Sequence, residues 1–370
     1  MVRLLRPGPG RFRLCLPGLA VAVLAFSGGA LAFGYPDAIR EGTVLSGVHP
    51  RSIALGGPMA TGSTDAAALF SNPSGLLTAP SNRFSIAFGP AIWSERVELN
   101  TYRQTQSGLA LGSALAAMKI EVSRGFVLGG GIARVTDGSH EDVRYNYNAP
   151  PDTAVLESIE YLSATGGFWE LLGGAAFRVS PWLSAGVSAG QRFGTLERKY
   201  EFDDMVGSGD STWTDELEES ALCWHAGLTV PFGLSSVGLS YCSGSDRYPA
   251  RVALGGTIFT GSSNRGAFGA EGELRDPGGD DQIVVRVFGQ YAPEASLVFC
   301  GGISLTEASK ADLTALSLGL GGTYSMRHFQ FDAALQWTST SSADSSFTHA
   351  EPDQVLDSVT NVVLGISYVL

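Results

Sequence analysis

Gln330-Phe331-Asp332-Ala333-Ala334-Leu335-Gln336-Trp337 alternates between two kinds of side chain. Phe331, Ala333, Leu335 and Trp337 fall on one side, and Gln330, Asp332, Ala334 and Gln336 on the other. Period two marks a strand with unlike faces. The pattern recurs where Phe84, Ile86 and Phe88 oppose Ser85, Ala87 and Gly89, and where Val362, Leu364, Ile366, Tyr368 and Leu370 share a face. A soluble sheet would hide the apolar face in a core. A membrane barrel turns it to lipid and keeps the other face in its lumen.

The lengths of the breaks separate the two cases. Val179-Ser180-Pro181, Pro231-Phe232-Gly233, Ala292-Pro293-Glu294 and Ser325-Met326-Arg327 are very short. They alternate with longer, more polar breaks at 137–164, 203–219, 243–249, 276–281, 306–310 and 342–357. Short turns on one side and long loops on the other are the asymmetry of an outer-membrane barrel. The pattern predicts an all-β fold, a transmembrane antiparallel β-barrel of about fourteen strands. They run 83–98, 107–117, 122–136, 165–178, 182–202, 220–231, 233–242, 250–260, 266–275, 282–291, 294–305, 311–325, 327–341 and 358–370. Trp182, Tyr291 and Tyr324 flank short turns, and Trp169, Tyr241 and Trp337 lie toward long loops, as two interfacial belts require. A two-residue turn at Phe232-Gly233 would set Trp224 against Tyr241, Leu228 against Val237 and Cys223 against Cys242. That spacing suits two thiols better than a bond.

The first residues read as a secretion signal, 1–32. Arg3, Arg6, Arg11 and Arg13 precede an apolar stretch, Leu14–Phe26, and Ala30-Leu31-Ala32 has the form of a cleavage site. Removing these four arginines, with no acid among them, takes the formal charge from −12 to −16. So acidic a chain repels phosphates, which argues against nucleic-acid partners. Charged residues are 16% of the chain, and glycines number 48, unlike an ordinary soluble domain. Three cysteines remain beyond the signal, Cys223, Cys242 and Cys300, an odd number that a disulfide framework cannot fully pair.

Residues 33–82 precede the barrel, 83–370. Within them, Arg51–Leu76 nearly spells a phosphate loop, from Gly57 to Gly62-Ser63-Thr64. The lysine that neutralises phosphate is missing, so a nucleotide site is rejected. Small residues here suit a plug inside a barrel. Ser63, Thr64 or Asp65 can cap a short helix over Ala66–Phe70, Asn72-Pro73 ends it, and Gly75 permits a turn. Glycines inside strands, such as Gly319-Leu320-Gly321-Gly322, mark kinks or close backbone approach.

Arg51, Ala54, Leu55-Gly56-Gly57, Asp65, Ala68 and Asn72-Pro73-Ser74-Gly75-Leu76 resemble the N-terminal hatch of FadL-type outer-membrane transport proteins and their PorV/PorQ-like relatives. Pro58, Thr64-Asp65 and Ser74 depart from the usual pattern, and the chain ends Tyr368-Val369-Leu370 rather than on an aromatic residue. The resemblance implies an outer-membrane channel for hydrophobic compounds, such as long-chain fatty acids or hydrocarbons, with outer-membrane lipids around it. It also implies a hatch whose shift lets solute pass, with exit sideways through the wall. The hatch or gating positions it marks are Arg51, Gly56, Gly57, Asp65, Asn72, Pro73 and Gly75, and it implies no cofactor. The alternative it leaves is a secretion carrier or scaffold with a secretion-system protein as partner.

Catalytic chemistry is poorly represented. His49, His140, His225, His328 and His349 sit in no hydrolase pattern or zinc spacing, and the cysteines are scattered. An enzyme is therefore not expected. His225 would face the lumen beside Cys223, a pair better read as packed than reactive. The acidic stretch Glu201–Ser220 reads as a solvated external loop. Its sharper reading is calcium bound between the loop and lipopolysaccharide phosphates, although EF-hand spacing is absent.

Overall fold

The computed structural model describes residues 43–45, 47–62, 65–78, 82–99, 102–138, 140–148, 156–205, 209–233, 235–260, 265–277, 282–308, 313–342 and 354–370. The expected signal, 1–32, and the candidate caps Ser63 and Thr64 lie outside them. Fourteen antiparallel strands form one barrel. They are β1 Arg83–Leu99, β2 Tyr102–Ser123, β3 Phe126–Arg134, β4 Leu156–Ser180, β5 Leu183–Asp204, β6 Ser211–Phe232 and β7 Ser235–Cys242. The others are β8 Arg251–Thr260, β9 Gly266–Arg275, β10 Gln282–Glu294, β11 Leu297–Ala308, β12 Leu313–Met326, β13 Phe329–Ser342 and β14 Gln354–Val369. Each pairs with its neighbour in sequence, and β14 closes on β1, from Gln354 opposite Glu98 to Val369 opposite Arg83. Closure removes the sheet edges that lipid cannot satisfy.

The alternation read from sequence is the alternation between lipid and lumen. Phe84, Ile86 and Phe88 are exposed, while Ser85 and Ala87 are buried. Leu320 and Leu364 are each 62% exposed, a wall stable only against lipid. Asp332 and Gln336 are buried inside. No described helix is long and apolar enough to cross a membrane.

Five hairpins on one side turn in two residues, since Ser123 pairs Phe126, Ser180 pairs Leu183, Phe232 pairs Ser235, Glu294 pairs Leu297 and Met326 pairs Phe329. The turns at 233–234, 295–296 and 327–328 therefore sit later than the breaks expected from sequence. At 233 the reason is backbone: Gly233 takes φ +65°, the left-handed conformation a tight hairpin needs at its first position. This shifts the β6–β7 register by two. Leu228 faces Leu239, Ala226 faces Tyr241, and Cys242 faces His225, not Cys223. Trp224 and Tyr241 still stack, diagonally, with ring centroids 4.7 Å apart. Cys223, Cys242 and Cys300 are free thiols, all buried.

The long breaks are shorter than expected, because strands continue beyond the membrane. A crossing needs only about 9–11 residues, yet β4 has 25 and β2, β5 and β6 have 22 each. The stretch 203–219 was expected to be a loop. Ser211–Glu219 instead belongs to β6, with Phe202 paired to Ser211 and Arg198 bridged to Asp215. Outside the bilayer neither strand face must be apolar, so the lipid pattern fades while pairing persists. The 137–164 break likewise contains a strand, His140–Asn148, and the start of β4.

Candidate functional site: the lumen and its wall gap

The N-terminal segment packs against the lumen-facing sides of the strands. Its α-helix among the described residues, α1, spans Pro50–Ala54, with His49 Nδ1 accepting from Arg51 N at 3.4 Å. Gly56 and Gly57, at φ +81° and +76°, end it. Gly57 N donates to Ser52 O at 2.8 Å and Gly56 N to Ile53 O at 3.0 Å, the paired bonds of a Schellman cap. The helix lies directly on the wall: a Cβ at Gly319 would come 2.5 Å from Ala54 O. That is the close approach expected of the strand glycines.

Asp65 caps Ala66–Phe70 through Ala67 N at 2.8 Å, as a 3-10 turn rather than an α-helix. Asn72 does more than stop it. Its Oδ1 accepts from Ser74 N at 3.1 Å, capping a second 3-10 turn, Pro73–Leu77, that contains Gly75. Its Nδ2 donates to Ala60 O at 2.6 Å and Leu228 O at 3.3 Å, tying the segment to itself and to β6. A side chain at Gly227 would collide with Asn72 Oδ1. Ile53, Leu69 and Leu76 are almost wholly buried, each burial giving roughly 1.5–3 kcal/mol.

The marked positions do not converge on one point. They spread along the segment, and partners not singled out from sequence fix it to the wall. Arg51 Nη2 donates to Gln290 Oε1 at 2.5 Å. His49 faces Asp65 at 3.2 Å and Asp332 at 3.7 Å. Glu271 accepts from Met59 N and Ala60 N at 2.7 Å each, and Arg286 Nε donates to Gly56 O at 3.0 Å. Arg286 also bridges Glu271 at 3.2 Å and Glu273 at 2.5 Å. The readable signal was a charge at a lumen position of an otherwise apolar strand, as in Ile283-Val284-Val285-Arg286-Val287.

The wall itself is interrupted after β3. Beyond Arg134 the regular β3–β4 register ends, although Val135 N still donates to Phe168 O at 2.9 Å and Gly138 N to Gly166 O at 3.3 Å. Thr136 and Asp137 pair with Val44 and Thr43, and Leu45 N donates to Val135 O at 2.9 Å. Beyond Gly138, His140–Asn148 pairs with β4. Among the described residues no ladder joins it to β2, whose pairing toward β3 covers only Leu115–Ser123. Across from Val135–Gly138, Gly166 and Gly167 of β4 take φ +113° and +152°, and Arg134 Nη2 donates to Gly166 O at 2.6 Å. Next to Val135 lies a small cavity of about 20 Å³, room for roughly one water, lined mainly by Leu45, Val48, Met59, Phe70 and Tyr248, with Arg251 at its edge.

A second buried cluster lies higher in the lumen. Arg192 Nη2 bridges Glu170 Oε1 at 2.7 Å, donates to Ser243 O at 3.1 Å and lies 3.8 Å over the Tyr248 ring. These contacts draw the 243–250 loop inward. His225 Nε2 meets Glu170 Oε2 at 3.0 Å and Cys242 Sγ at 3.8 Å. Both partners use the same nitrogen, and Nδ1 has no hydrogen-bond partner among the described residues. A nucleophile–base–orienter relay needs both ring nitrogens, so this is not a catalytic triad. Among the described residues, the acids of 201–220 form no converging group that could hold calcium.

No protein-family model matches the sequence, and no curated protein matches it. Solved structures do match the fold. A Pseudomonas aeruginosa FadL homologue gives a TM-score of 0.62 at 12% identity, covering 88% of this chain and 99% of that one. The Pseudomonas putida toluene transporter TodX gives 0.61 at 14%, covering 88% and 98%. The Ralstonia pickettii toluene transporter TbuX gives 0.57 at 14%, covering 88% and 99%.

Proposed function

With the fold of these FadL-type channels as premise, we propose that this chain is an outer-membrane channel for small hydrophobic molecules and not an enzyme. The segment 43–78 acts as its hatch. The observation that carries the reading is the meeting of three features at Val135: a small, mainly apolar pocket, the hatch ladder at Thr43–Val44, and the end of the β2–β3 pairing, beyond which no ladder joins β2 to His140–Asn148 among the described residues. An apolar solute is favoured over water against such a lining once a shift of the hatch widens the pocket. A sideways exit into the bilayer spares it a long aqueous path. Hydrocarbons of the toluene class and longer apolar chains are the solutes to try first, because TodX and TbuX are described as toluene transporters. No observation favours the secretion-carrier alternative.

Uptake of a labelled hydrocarbon or fatty acid by cells lacking their own channel tests this. Wild-type protein should restore uptake. Val135→Trp, which fills the cavity, should reduce it about tenfold or more, a loss of roughly 1.4 kcal/mol, with the barrel still folded. Equal uptake by the two would reject the cavity as the route. Deleting Arg51–Leu76 should raise ion conductance in a planar bilayer, and unchanged conductance would reject the hatch.

A further inference from the structure

Glu170, His225 and Cys242 come from β4, β6 and β7, and all three are buried. One carboxylate oxygen, one ring nitrogen and one sulfur lie within 4.8 Å of one another. Oε2 and Sγ stand 3.0 and 3.8 Å from the same Nε2. A tetrahedral zinc ion with bonds of about 2.0–2.3 Å sets its ligand atoms roughly 3.3–3.6 Å apart. The cluster is within a few tenths of an ångström of that spacing at the two distances from Nε2. Convergence on one nitrogen, which defeats a proton relay, is what a shared central ion requires.

We propose that Glu170 Oε2, His225 Nε2 and Cys242 Sγ form a zinc site inside the barrel, with a water or hydroxide in the fourth position. Binding releases the Cys242 thiol proton, and the proton on His225 Nε2 leaves to solvent or moves to Nδ1, so that neutral imidazole, thiolate and carboxylate together balance a divalent ion. Arg192 holds Glu170 by the other oxygen, Oε1, leaving Oε2 free. Arg251 Nη2 reaches Cys242 Sγ at 3.7 Å. Both guanidiniums thus serve as outer-shell donors to the anionic ligands. Their positive charge makes this a weaker site than one with neutral surroundings. Bound zinc would tie β4, β6 and β7 together beneath the inward 243–250 loop.

Cobalt(II) takes zinc's ligands and reports a thiolate ligand by charge-transfer absorption, so it is the probe. Folded wild-type protein in reducing detergent solution should bind about one equivalent with that absorption, and zinc should abolish it. Cys242→Ser and His225→Ala should lose the band. In case those variants fail to fold, the double variant Cys223→Ser/Cys300→Ser leaves Cys242 the one thiol of residues 33–370 and should keep it. No binding by folded wild-type protein, binding without a thiolate band, or a band that survives in folded Cys242→Ser would each overturn the site.

Discussion

Two stretches of wall hold the N-terminal segment by different means. Along β8–β13 the wall is continuous and its grip is charged: Glu271 holds the Met59 and Ala60 amides, Arg286 holds Gly56 O, and Asp332 faces His49. Along β3–β6 the wall is longer, bent at positive-φ glycines, and its β3–β4 register ends after Arg134. There the grip is mainly neutral, through Ser188 to Leu69 O, Ser74 to Thr229, and the two-residue ladder at Thr43–Val44. Neutral hydrogen bonds contribute about 0.5–1.5 kcal/mol net, and bonds to charged groups about 1.5–3. The segment is therefore held mainly by charged groups on one side and mainly by neutral ones on the other, where Lys119 Nζ of β2 adds a charged bond to Leu76 O at 2.8 Å.

The largest expected effect follows from cutting the anchor. Glu271→Ala leaves two buried amides without their acceptor and Arg286 with Glu273 as its remaining carboxylate, a loss of about 3–5 kcal/mol. Bilayer conductance should rise and amides of 52–60 should exchange hydrogen quickly. If neither changes, the charged side is not the anchor. Asn72→Ala on the neutral side should cost about 1–2 kcal/mol, with faster exchange at 74–78 and a smaller change in conductance. Should it open the pore more than Glu271→Ala, the ranking of the two sides is reversed. Gly56→Ala should have the smallest effect, about 1–2 kcal/mol for a left-handed alanine, seen as a modest gain in exchange at 56–57 with uptake intact.

Lipid wrote most of the legible pattern. Where the wall meets the bilayer, as at Phe331 and Leu364, the outward side chain must be apolar, and the faces could be assigned before any strand was placed. Above the bilayer that demand ends. For this reason Ser211–Glu219 and His140–Asn148, both strands, looked like loops. Gly233 moved one turn by a single residue, and so the strand register by two, because a tight turn needs its positive φ first. The N-terminal segment's Gly56, Gly57, Asn72 and Pro73 sit at its turns, but its anchors Glu271, Arg286 and Asp332 lie far away in sequence. The Glu170, His225 and Cys242 cluster was illegible for the same reason. Three strands bring together residues that no spacing connects.

The most direct test of the central claim is native mass spectrometry of wild-type protein and Val135→Trp, released side by side from mild detergent. An apolar small molecule, displaceable by added hydrocarbon, should be found on the wild-type barrel and be missing from the variant. A wild-type lumen that stays empty even with excess hydrocarbon, or one equally occupied in Val135→Trp, would contradict it.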